Sequence, residues 1–416
     1  MPTSAATSAD TATAERAAHR DPNVLRWLGA YSASAIGDNV YYLALSWAAV
    51  RSGTPAQAGL VTAAAALPRV LLMPFGGVVA DRYGPRRVVL ASTAVRGAVV
   101  LAAAGLLLAT RPGLGALGAI AVLFGIVDAV FLPAAGSLPA RITGRGQLAR
   151  VQGMRGLATR LANILGGPLG GLGIALGGTA GAFGLAALLV GVSLPALLTV
   201  RTGPLPPDDT PGRRAVLAEL RDGLRHIRRD PVLRPLLLAI TLSDLGFVGP
   251  MNLGLTLLAQ QRAWGSAGLG WVLAGFGTGA GAASLLLSWR GRLPRAAAVS
   301  AVANLVSAVA IGALAQVASV AAAAGVAVLV GVSAGLAGAL CGALVQARAG
   351  AAYTGRVTAV ATLAGFGLAP LTFPVVGAAV ALWGTGPVFA ACAAVCALAG
   401  VVGLGARELR RAELPG

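Results

Sequence analysis

The chain is built from long apolar runs punctuated by arginine, glycine and proline, and this pattern constrains the fold more than any other feature. The runs fall at about 27–50, 56–80, 88–110, 114–140, 151–175 and 180–200, and again at about 236–260, 267–289, 297–317, 319–346, 357–382 and 386–406. Each is near the ~20 residues that a helix needs to cross the hydrocarbon of a bilayer. The pattern predicts an all-α membrane protein with twelve spans in two groups of six. Only 11% of side chains are charged, where a soluble domain carries ~25%. A soluble enzyme is excluded on that ground.

The net charge of +18 comes from arginine alone, since all 32 basic residues are Arg. So basic a balance invites a nucleic-acid reading, and the placement of the arginines decides against it. With the N-terminus inside, 25 of the 32 lie in inner segments, and the outer side holds only Arg51, Arg111 and Arg262. Inner loops rich in arginine set the orientation of membrane proteins. Both termini are therefore expected on the cytoplasmic side of the cell's inner membrane, with no nucleic-acid partner.

Residues 1–26 read as a cytoplasmic disordered tail, because their Ala, Thr and Ser-rich start lacks the apolar core of a signal peptide. Residues 27–200 and 236–406 are the two bundles, 201–235 the linker and 407–416 a second cytoplasmic tail. In the linker Leu217, Leu220, Leu224 and Ile227 recur at three- and four-residue steps, opposite Arg213, Arg214, Arg221, Arg225, Arg228 and Arg229. This predicts a short basic amphipathic helix lying on the inner membrane surface, with lipid as its partner; a solvated linker helix is the alternative.

Cofactor chemistry has little to be built from. Cys341, Cys392 and Cys396 lie inside apolar runs, and His19 and His226 are far apart in polar segments, so neither a disulfide framework nor a metal site is expected. A chain without lysine has no phosphate-binding G-x-x-x-x-G-K-S/T run, so ATP is not expected to drive it.

The two groups of six are copies of one unit. Asp38 and Asp244, Arg150-Val151 and Arg356-Val357, Pro168 and Pro374, and Gly171 and Gly377 are all 206 residues apart. Parallel repeats of this kind surround the midplane sites of transporters. The loop after the second run reads Gly77-Val-Val-Ala-Asp81-Arg82-Tyr-Gly84-Pro85-Arg86-Arg87. Its glycines permit a close helix approach and a sharp turn, and Asp81 among arginines can form a charge cluster that locks a gate. The second half has Leu287 where the repeat would place the acid.

This loop resembles the G-x-x-x-D-R-x-G-R-R/K signature of the major facilitator superfamily. Ile36-Gly37-Asp38-Asn39, Leu67-Pro68-Arg69 and the Leu132-Pro133-Ala134-Ala135…Leu138-Pro139 run are similar to its twelve-span drug and siderophore exporter branch. Asn163-Ile-Leu-Gly166-Gly167-Pro168-Leu169-Gly170-Gly171 resembles the antiporters' G-x-x-x-G-P-x-x-G-G stretch, with Asn163 in place of the first glycine. Tight helix packing with a proline kink explains that stretch equally well.

Ionisable residues inside spans cost ~2.5–3.5 kcal/mol or more when unpaired, so each needs a reason. The acids are Asp38, Asp128 and Asp244; the deep basic residues are Arg69, Arg96 and Arg160, all in the first half. Asp38 and Asp128 can be ion-paired or carry a proton. Asp244 has no cation in its own half, so it must face water, reach across to the first half, or be protonated, and it is the first choice for proton coupling. The resemblance implies that spans 1, 4, 7 and 10 line a central cavity holding all three acids, with Asn39, Tyr42, Phe131 and Asn252 as walls. It further implies a monomeric secondary active transporter, needing no cofactor and coupled to a proton gradient, that exports amphipathic or weakly cationic small molecules by alternating access. An exporter of an anionic siderophore or metabolite, or a lysolipid flippase, would share these motifs. A non-transporting scaffold or receptor is the different-class alternative.

Overall fold

The computed structural model describes residues 18–110, 112–144, 147–203, 213–290, 295–410 and 412. Most of the expected N-terminal tail, residues 1–17, lies outside them. The first helices are α1 (Pro22–Ser52), α2 (Pro55–Tyr83), α3 (Pro85–Ala109) and α4 (Leu114–Ser137). Their starts follow from local chemistry. The Asp21 side chain accepts from the Asn23 N–H ahead of Pro22, and Thr54 and Gln57 form a reciprocal capping box around Pro55. That Asp-Pro start signal corrects the tail boundary: helix begins at Pro22, not after residue 26.

The helical run Leu148–Leu198 holds two limbs, α5 (148–176) and α6 (179–198), separated at Gly177 and Gly178. Gly178 has φ 63°, a conformation that costs glycine little and other residues more. There follow the linker helix α7 (Arg213–Arg229), α8 (Leu233–Gln261), α9 (Gly265–Arg290), α10 (Ala296–Leu314), α11 (Val320–Trp383) and α12 (Thr385–Gly405). If straight, the 64 residues of α11 would run ~96 Å at ~1.5 Å per residue, three times a bilayer core. Both of its ends nevertheless lie at one end of the molecule. Trp264 Nε1 donates to the Ala318 carbonyl at 2.7 Å, and Thr385 hydrogen-bonds Gln261 three residues away from Trp264. The chain therefore reverses within α11.

Among the described residues nine helices are long and apolar enough to cross a membrane. Their outward faces carry Leu60, Leu101, Leu108, Leu176, Leu188 and Val309, all exposed, as a bilayer-facing surface requires. The halves meet along two seams, α5 on α9 and α2 on α11. The repeated Pro-x-x-Gly elements sit at these seams. A Cβ at Gly171 would come within 2.5 Å of the Ser266 carbonyl oxygen, and one at Gly377 within 2.4 Å of that of Pro55. Glycine at both places lets backbones touch across the interface.

Core packing differs at the two ends. Toward the end opposite the arginine-rich loops, one cluster joins residues of both halves, including Ala44, Phe124, Leu257, Ile311 and Phe373. Toward the arginine-rich end the core divides into a first-half cluster around Trp27, Phe131 and Val200, and a second-half cluster around Leu236, Leu344 and Leu409. Ile227 of α7 belongs to the second-half cluster, so the last turn of the linker helix packs on protein. The side chains of Arg213, Arg214, Leu217 and Leu220 lie outside the described residues.

Candidate functional site

Ser34, Asp38 and Tyr42 repeat every four residues on α1 and so share one face. Into that face α3 projects Arg96, α4 Asp128 and α2 Arg69. Arg96 is fully buried and donates through Nη1 to Asp38 Oδ2 and to Asp128 Oδ1, each at 3.1 Å, and through Nη2 to Ser34 Oγ. Arg69 approaches Asp128 Oδ2 at 3.6 Å and donates to the Tyr42 hydroxyl at 3.2 Å, while Tyr42 donates to Asp128 Oδ2 at 3.4 Å. Two arginines and two aspartates thus form a closed, formally neutral network. Its loose ends are Asp38 Oδ1 and Arg96 Nε, both buried without a hydrogen-bond partner among the described residues.

Phe131 was expected as a cavity wall and is not one. It is buried beneath the Arg96 guanidinium, whose carbon lies 3.8 Å from the ring centre. A cation taken out of water is attracted by the electron-rich face of an aromatic ring, which gives Phe131 its place there.

Between the halves lies a cavity of about 230 Å³. Asn39, Tyr42, Ser46, Thr62 and Arg69 reach it from the first half, Asn252 and Thr256 from the second, with Leu43, Met251, Leu273 and Phe373 as apolar wall. Toward the end opposite the arginine-rich loops Ser46 and Thr256 hydrogen-bond across the halves at 3.0 Å. Asn252 is presented by a single π-helical turn, Pro250–Gly254, inside α8, and Thr256 follows in the next α-helical turn. Such turns often mark functional sites in helices. Asn39, Tyr42 and Asn252 are where the sequence placed them. Ser46, Thr62, Thr256 and the cavity position of Arg69 were missed, although Pro250 followed by Asn252 and Thr256 at a four-residue step was a readable signal.

None of the three acids lines this cavity. Asp38 and Asp128 stand behind Arg69 and Tyr42, and Asp244 opens into a second cavity of about 230 Å³ inside the other half, with Ser243, Phe247, Phe276, Asn304 and Cys341. Ser243 donates to Asn304 Oδ1 at 3.0 Å. Asp244 makes no ion pair among the described residues. Arg160 was expected as a buried partner for an acid. It instead crosses the α5–α9 seam and donates to the carbonyl of Ala280, a residue of the Asp244 cavity wall, at 3.3 Å.

The loop after α2 also departs from expectation. Gly84 makes the sharp turn at φ 86°. The close helix approach belongs to Gly76, which faces the Ala129 carbonyl, and not to Gly77, where a Cβ would meet nothing within 4 Å. Asp81 is exposed and forms no ion pair among the described residues; Arg82 lies over the Tyr83 ring and Arg86 Nη2 donates to the Leu198 carbonyl at 2.6 Å. Helix-end carbonyls without helical partners attract a guanidinium strongly, and Arg86 takes that partner over Asp81. Among the described residues no group of three or more His, Cys, Asp or Glu converges as a metal site.

The family model of the Major Facilitator Superfamily matches residues 27–366. The chain belongs to the Major Facilitator Superfamily. Over 215 residues it is 31% identical to the multidrug efflux pump Tap of Mycobacterium bovis, and equally to Tap of Mycobacterium tuberculosis, across 49% of this chain and 50% of the pump. The chain thus matches about half the length of these curated relatives. Its fold is that of the nucleoside transporter NupG (TM-score 0.69, 14% identity, 92% of this chain and 98% of that one) and of the human organic anion transporter MFSD10 (TM-score 0.63, 18% identity, 92% and 99%). The superfamily is one of multi-pass membrane transporters, and the apolar helices of this chain accord with a multi-pass membrane protein.

Proposed function

We propose that this transporter is a proton-coupled exporter of amphipathic small molecules, working by alternating access in the cell inner membrane with both termini on the cytoplasmic side. The observation that carries the reading is the division of charge. A neutral network braces the first half behind the shared cavity, while Asp244, without a cation, sits in a cavity of its own in the second half. A carboxylate that no cation holds is free to exchange a proton as access alternates, and a neutral network can brace the cavity through that cycle. The split core at one end and shared core at the other supply two bodies able to rock. No bound cofactor is called for, and one chain contains both halves of the cavity, in keeping with a monomer.

Transport in proteoliposomes under an imposed pH gradient tests this. Asp244→Asn should abolish gradient-driven accumulation and preserve downhill exchange. Normal uphill pumping by that variant would move proton coupling to Asp38 or Asp128. A second reading concerns the cargo. Weakly cationic molecules were the expectation, yet among the described residues the charged side chain lining the shared cavity is Arg69, which favours neutral or anionic amphiphiles. A panel of cationic dyes, anionic siderophores and labelled lysolipids separates the two.

A further inference from the structure

The mechanism above leaves unused a cleft at the arginine-rich end of the first half. Arg26 of α1, Arg86 in the first turn of α3, and Arg201 just past α6 line it together with Leu198, Thr199, Val200 and Thr202. Its volume is about 590 Å³, and no acid is among its lining residues. Three arginines from three elements therefore line one concavity, with no counter-charge among the described lining residues.

Two of the three arginine positions are held by hydrogen bonds. Asn23 clamps the backbone of Arg201 from both sides, donating through Nδ2 to its carbonyl and accepting from its N–H through Oδ1, each at 2.8 Å. Arg86 is anchored by its 2.6 Å bond to the Leu198 carbonyl, and its Nε–H is buried with no partner among the described residues. An orphaned donor on a cation is costly unless an acceptor arrives. α3 starts there without a side-chain cap, and an uncapped helix start favours anions. Beside the cleft, Leu25 and Leu198 are 47% and 61% exposed on the surface of a membrane-spanning bundle.

We propose that this cleft binds the headgroup phosphate of an anionic phospholipid, with the acyl chains passing over Leu25 and Leu198. Arginine forks suit a phosphate, and basic pockets beside membrane helices take such headgroups. The exposed leucines select a lipid over a soluble phosphate, which would leave them in water or bulk lipid without a ligand.

The test is a lipid titration of the purified full-length protein in detergent, read by native mass spectrometry. Dioleoyl-phosphatidylglycerol should bind at least tenfold tighter than dioleoyl-phosphatidylcholine. The Arg26→Gln/Arg201→Gln pair should weaken the first phosphatidylglycerol by about thirtyfold, at the strength of ~1 kcal/mol per arginine near a charged surface. Arg26→Lys/Arg201→Lys should keep it within a few-fold, and Arg228→Gln/Arg229→Gln, in a separate basic cleft of the linker, should leave it within threefold. Should the Gln pair fail to fold, Arg26→Gln alone reads the same loss at about fivefold. Equal binding of the two lipids, an unaltered affinity in the Gln variants, or an equal loss in the linker variant would overturn the proposal. Displacement of the lipid by submillimolar glycerol phosphate would do so too, since the site would then take a soluble phosphate.

Discussion

The two halves share their seams and differ in their charges. Pro168 and Gly171 at one seam are matched 206 residues on by Pro374 and Gly377 at the other, and both glycines bring backbones into contact. Asp38 is likewise matched by Asp244, but the positions matching Arg69, Arg96 and Asp128 are Gly275, Val302 and Ala334. One half therefore fixes its aspartate in a network and the other leaves it open to a cavity. Two bodies that rock against each other need equivalent contact surfaces on both sides of the axis. They do not need equivalent charges, and a carboxylate useful for coupling is one that no arginine holds.

Breaking the network should give the largest effect. Arg96→Gln removes the cation from between Asp38 and Asp128 and leaves two carboxylates buried, a loss on the order of 3–5 kcal/mol. Thermal unfolding in detergent should show a large drop, while Asp244→Asn should shift stability by less than ~1 kcal/mol, since no partner is stranded. Equal losses in the two variants would end the distinction between the halves.

The seams sharpen the comparison from the other side. Gly171→Val and Gly377→Val each drive a side chain into backbone across the interface, so each should destabilise by ~1–3 kcal/mol and slow transport to a similar degree. A loss confined to one seam would show that the two carry unequal loads. Stability by thermal unfolding and exchange rates in proteoliposomes measure both.

Much of this was legible in the sequence. Apolar runs near 20 residues mark helices because a bilayer forbids unpaired backbone groups, and a strict offset in rare residues such as Asp38 and Asp244 survives even a biased composition. The seam glycines were legible for the same reason. Which wall a side chain lines was not, since this depends on helix rotation: Phe131 turns to the core beneath Arg96, and Arg69, while pairing with Asp128 as expected, also lines the cavity. The direction of Arg160 was also hidden. Its partner is a backbone carbonyl on α9, 120 residues away, and every residue has such a carbonyl. The π turn at Pro250–Gly254 left only the faint mark of a proline in an apolar run.

Within the network, Tyr42 is the smaller lever. Its hydroxyl lies between Arg69 and Asp128, which remain 3.6 Å apart without it. Tyr42→Phe should cost ~1 kcal/mol, the net value of one hydrogen bond, and the unfolding temperature should fall only slightly. A loss as large as that of Arg96→Gln would mean that the hydroxyl, and not the buried guanidinium, organises the first half.

The smallest effect on stability is expected at Asp81. In this state it is exposed and unpaired among the described residues, and its neighbour Arg86 is already bonded to the end of α6. Substitutions at such positions change stability by no more than ~0.5 kcal/mol. If the loop acts as a gate, Asp81 finds its arginine only when the halves close the arginine-rich end, where the core is now divided. Asp81→Asn should then leave the unfolding temperature and substrate affinity nearly unchanged, yet slow exchange, because the variant loses a contact made in one state of the cycle and absent from the other. Wild-type exchange rates would remove Asp81 from the gate, and a loss of affinity with unaltered conformational populations would make it part of a binding site.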